Sequence, residues 1–120
     1  MASLSDVRAL TISDENAAST TRIAAAARPT AAFTLANTTH ANGTARNVTV
    51  TTTGTGDNAK TVTVVGTDVF GDSLTEVITS TGSAETVAGS SLFLTITSAT
   101  CSAQYAANVS VGSGSVCAQA

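Results

Sequence analysis

Tryptophan is missing from this 120-residue chain, and the only aromatic side chains are Phe33, Phe70, Phe93 and Tyr105. A sugar-binding surface usually presents exposed Trp or Tyr, and only Tyr105 is on offer. Charge is scarce as well, at 11% of residues, about half the usual share. Arg8, Arg22, Arg28, Arg46 and Lys60 are scattered, and no basic stripe alternates with aromatics. Direct nucleic-acid binding therefore has no footprint. No apolar run approaches the roughly eighteen residues of a membrane span. The start, MASLSDVRAL, lacks the basic and apolar regions of a secretory signal, so synthesis and assembly in the cytoplasm are expected.

Catalytic and metal motifs are equally thin. His40 is the single histidine, and the two cysteines, Cys101 and Cys117, lack Cys-x2-Cys spacing, so a zinc site is not expected. A serine nucleophile would need His40 and a G-x-S-x-G elbow. The GSGS run at 112–115 has its glycines at the wrong interval. Cys101 and Cys117 enclose 15 residues, and a bridge between them would be worth about 3 kcal/mol on the chain-entropy account. In a reducing cytosol the alternative is two thiols. No cofactor is implied.

What the chain has in quantity is threonine, 23 residues, and alanine, 22. Threonine is β-branched and suits a half-exposed sheet. From residue 31 onward, valine and threonine alternate. RNVTVTT (46–52), KTVTVVG (60–66), SLTEVITS (73–80), SLFLTITSA (91–99) and NVSVG (108–112) read as strands separated by Gly/Asn/Asp turns. The expected fold is all-β, a small antiparallel β-sandwich or barrel spanning 31–120 as one domain. Its expected core is Val48, Val50, Val62, Val64, Leu74, Ile78, Leu92, Leu94, Ile96, Val109 and Val111. Thr-X-Thr text does not recur at a fixed period, which argues against a solenoid.

Residues 1–30 differ in texture. Small side chains dominate, with Leu4, Val7, Leu10, Ile12 and Ile23 as the larger anchors. They are expected to form an extended arm lying on another subunit, or in part a short helix through Ile23 and its alanines, stopped by Pro29. A single lysine leaves few guards on the sheet edges, which points to an assembled state.

In VVGTDVFGDSLTEVIT (64–79), Asp68, Asp72 and Glu76 stand four apart. They are the weak candidates for a metal, since calcium takes six to eight oxygens and no DxDxDG loop is present. The favoured reading is a hairpin whose aspartates accept hydrogen bonds from their own turn.

Four stretches carry a resemblance: Asn47 to Thr51, Val64 to Ile78, Leu94 to Ser98 and Val109 to Gly112. Their order and turn texture, over residues 46–112, resemble small β-rich virion structural proteins of tailed bacteriophages, of the capsid decoration, cement or head-fibre type. The resemblance implies a non-enzymatic virion protein, assembled in the host cytoplasm, with the major capsid protein as partner and a homotrimer as its form. A tail, neck or fibre component and a surface or carbohydrate-binding β module are the alternatives.

Overall fold

The computed structural model describes residues 18–118. Its strands are β1 (Ser19–Ala27), β2 (Ala45–Thr52), β3 (Thr61–Thr67), β4 (Ser73–Thr79), β5 (Glu85–Ala88), β6 (Thr95–Cys101) and β7 (Val109–Ala118). They form two antiparallel sheets, ordered β1-β7-β2-β5 and β4-β3-β6, in a sandwich-like arrangement. Among the described residues there is no α-helix, only a short 3-10 turn at Ala41–Gly43.

Alternation makes the strands. In β3, Val62 and Val64 are fully buried, while Thr61, Thr63 and Val65 are half-buried. β-branched residues at period two place one face in a core and leave the other to water or neighbours. Val48 and Val50 of β2 and Val109 and Val111 of β7 share one core with Val62, Val64, Ile78 and Ile96 of the second sheet. Leu74 packs against that core half-buried, and Leu92 and Leu94 are also only half-buried.

The SLFLTITSA stretch departs from simple alternation. The expected inward set was Leu92, Leu94 and Ile96, but Phe93 and Ile96 are the buried residues, followed by Ala99 and Cys101. The register explains this. Gly66 pairs with Ile96 and Val65 with Ser98, so Thr97 is an extra residue in a β-bulge. Gly66 permits the bulge, because a Cβ there would come within 1.9 Å of the Thr95 carbonyl oxygen.

Residues 31–39 lie along the free side of β6. Phe33 N donates to Ala99 O at 2.9 Å and Ile96 N to Thr38 O at 2.8 Å. That segment covers one sheet edge with irregular chain in place of a full strand.

The expectation for the first residues needs correction. Residues 19–27 are neither an arm on another subunit nor a helix; they form β1, paired with β7, and Ile23 is fully buried in the chain's own core. Sheet pairing overrides the helix propensity of the alanines here. The other anchors, Leu4, Val7, Leu10 and Ile12, lie outside the described residues. β7 runs through the GSGS run to Ala118. Glu85 begins the short strand β5, paired with β2.

Candidate functional site

The three spaced carboxylates end in different places. Asp68 Oδ1 accepts from Phe70 N at 2.8 Å and from Asp72 N at 3.0 Å, an Asx arrangement that closes the β3–β4 turn. Gly71 supplies the left-handed residue of that turn, at φ 84°. Asp72 is exposed. Glu76 faces away from the turn, along β4, and accepts from Ser90 N at 2.8 Å and Ser91 N at 3.2 Å. It thereby ties the β5–β6 connection to the second sheet. Among the described residues no three His, Cys, Asp or Glu side chains converge as metal ligands would.

The same hairpin carries the most conspicuous apolar exposure. Phe70, at its tip, is 84% exposed, and Val77 on β4 is 55% exposed. Among the described residues β4 is an edge strand hydrogen-bonded only to β3, with Ser73, Thr75, Val77 and Thr79 open to solvent. It carries no lysine or proline and no bulge against β3. Tyr105, by contrast, is 1% exposed, its hydroxyl 3.0 Å from Ser80 Oγ. Burial pushes its phenol pKa up. The one tyrosine a sugar-binding surface would use is thus inside the protein.

A second polar group lies beside Tyr105. Asp57 is buried, with Lys60 Nζ 2.8 Å from Oδ1 and Ala106 N donating to the same oxygen at 2.8 Å. Lys60 also donates to Gln104 O at 2.8 Å. The lysine hydrogen bond holds the Asp57 carboxyl below the usual carboxylate range, against the opposing effect of burial. These contacts fasten the β2–β3 loop to the β6–β7 loop.

The third group was not legible as a unit in the sequence. His40 Nδ1 is 2.5 Å from Ser113 Oγ, and both side chains are buried. Ser113 belongs to the GSGS run, so the two features set apart by their motifs are joined by the fold. Next to them, Arg46 is fully buried; its Nη1 donates to Gly114 O at 2.9 Å and its Nε to Thr44 Oγ1 at 3.3 Å. Burial lowers the His40 pKa to about 4, with the positive charges of Arg46 and Arg22 adding to the effect. A serine–histidine contact is the first element of a nucleophile pair. Here no carboxylate among the described residues bonds the ring, and neither side chain reaches the surface. The arrangement holds β7 to the 37–44 loop.

Cys101 closes β6 as a free, buried thiol, its Sγ 3.4 Å and 3.2 Å from the carbonyl oxygens of Pro29 and Ala31. Cys117 pairs in register with Arg46, which is bridged to Phe93. Compared with protein-family models, with curated proteins and with solved structures, the chain matches none.

Proposed function

We propose that the chain is a non-enzymatic virion structural protein, a decoration or cement protein that stabilises the head shell of a tailed bacteriophage. The observation that carries the reading is the β3–β4 hairpin. It combines the sequence texture that resembles such proteins with an unguarded strand edge and the exposed Phe70 and Val77. Exposed apolar side chains beside an open edge suit docking onto another protein surface. The partner in this reading is the major capsid protein, and the protein acts as a homotrimer placed across subunit joints. Many equivalent copies convert a modest interface into high avidity. Neither membrane nor direct nucleic-acid contact enters the proposal.

Quantifying the chain in purified particles, and locating it in a reconstruction of the shell, tests the reading. Hundreds of copies at symmetry axes of the head are expected. A handful of copies at the neck or tail would assign a different station, and absence from particles would reject a virion role.

A further inference from the structure

Strand β4 turns backbone and side chains to solvent at the same positions. Asp68 N donates to Asp72 O at 3.0 Å at one end of the β3–β4 ladder, and Ser80 N to Lys60 O at 2.9 Å at the other. Between them the pairing runs without a shift, from Thr67 opposite Ser73 to Thr61 opposite Thr79. Along an antiparallel strand, the residues that bond towards a given neighbour alternate. Leu74, Glu76 and Ile78 therefore bond β3, and the N–H and C=O groups of Ser73, Thr75, Val77 and Thr79 point outward. The other side of β3 agrees, since Thr61 O accepts from Ser102 N at 2.9 Å and Thr67 O from Leu94 N at 2.7 Å. The side chains of the outward set are the exposed ones of β4.

An open edge of 7 residues, about 24 Å long, is a template for another strand. The chemistry of this one selects a copy of itself. Ser73, Thr75, Val77 and Thr79 are all uncharged, so two such edges meet without an ion facing an ion, and a strongly charged partner finds no counter-charge on them. Full overlap about a two-fold axis would set Glu76 opposite Glu76, and like charges directly opposite destabilise a pair. A slide of two residues keeps the bonding parity and places Val77 against Val77, Thr75 against Thr79 and Glu76 against Ile78. The opposite slide would set Val77 against Ser73 and leave the apolar side chains apart. The fold itself uses the threonine pairing: the hydroxyls of Thr51 and Thr86 are 2.9 Å apart and those of Thr67 and Thr95 2.6 Å, each between residues opposite in register. The far side of the sheet, along β6, is covered by residues 31–39, so a two-fold pair closes and does not grow.

We propose that β4 is the docking site for β4 of a second copy, joined antiparallel about a two-fold axis with Val77 opposite Val77, so that the two β4-β3-β6 sheets become one continuous sheet. An edge this short buries less than the roughly 800 Å² per partner of a standard interface, so the contact is reversible and concentration-dependent. It is a two-fold contact, separate from the three-fold contact of the proposed homotrimer, and does not rest on the capsid reading. Phe70 lies beyond the paired stretch, at the hairpin tip, and stays open.

Sedimentation of the full-length protein over a range of concentrations, native against Val77→Lys, reads the contact. The substitution is expected to weaken association by about tenfold or more. Single cysteine substitutions read the register, with the cross-linked peptides identified by mass spectrometry after mild oxidation. Val77→Cys is expected to cross-link to itself, because the Cα atoms of a hydrogen-bonded antiparallel pair are about 5.5 Å apart, within disulfide reach. Thr75→Cys and Thr79→Cys should cross-link only when mixed. Equal sedimentation of native and Val77→Lys protein overturns the proposal. So does cross-linking of mixed Thr75→Cys and Val77→Cys with none of Val77→Cys to itself, which would place Glu76 opposite Glu76. In particles, a Val77→Cys cross-link to the shell protein in place of a second copy would give the edge to the shell and also overturn it.

Discussion

Lowering the pH from 6.5 towards 4 protonates His40 in the unfolded chain before it does so in the folded one, because the folded value is depressed to about 4. The unfolded state then binds more protons, so stability falls across that window and levels off below it. The full loss is on the order of 3 kcal/mol. His40→Gln should flatten the stability profile between pH 6.5 and 4, as read by urea melts at several pH values. Asp57 acts lower on the scale. Its folded pKa lies below its usual value, so its contribution is present above about pH 4 and is lost as pH falls through the folded value. Ala59 offers a different residue-scale test. It sits at φ 68°, in the left-handed region, with its N–H donating to Ser80 O at 3.0 Å. An L side chain there costs roughly 1 kcal/mol or more, and glycine removes that cost. Ala59→Gly is expected to raise the urea midpoint slightly; a lower midpoint would mean the strain is absent.

At the scale of the element, the β6 bulge and the β4 edge make separate demands. Gly66→Ala drives a methyl into the backbone of Thr95, which cannot yield without breaking the bulge. Equilibrium unfolding should show a loss of roughly 3 kcal/mol or more. Val77→Lys should leave stability within about 0.5 kcal/mol, since the side chain is exposed. It should also suppress any concentration-dependent self-association through β4, measured by sedimentation. The strands were legible where valine and threonine alternate, as in β2, β3 and β4, because period two is a local signal. β1 was not. Its alanines carry no alternation of size, and its strand state comes from pairing with β7, some ninety residues later. The GSGS part of β7 was hidden for a related reason: glycine and serine read as a loop until β1 and β2 flank them. The Asx turn at Asp68 was readable because its hydrogen bonds are local. The His40–Ser113–Arg46 group was not, since it joins a loop to two strands distant in sequence.

For the whole molecule, surface and core separate cleanly into association and stability. Phe70→Ser removes the largest exposed apolar side chain without touching the core. It should leave Tm nearly unchanged and, on the proposed capsid reading with Phe70 as an interface anchor, weaken binding to shells lacking the protein by about tenfold or more. Unaltered binding would move the interface elsewhere. The order of strands has another consequence, one that concerns synthesis. β7 lies between β1 and β2, yet it is the last of the described strands to leave the ribosome. Until it emerges, β1 and β2 have no strand to join them, while β3, β4 and β6 are already complete and able to pair. The second sheet can therefore form on the nascent chain, whereas the first must wait, its edges uncovered, for a closure over most of the chain's length.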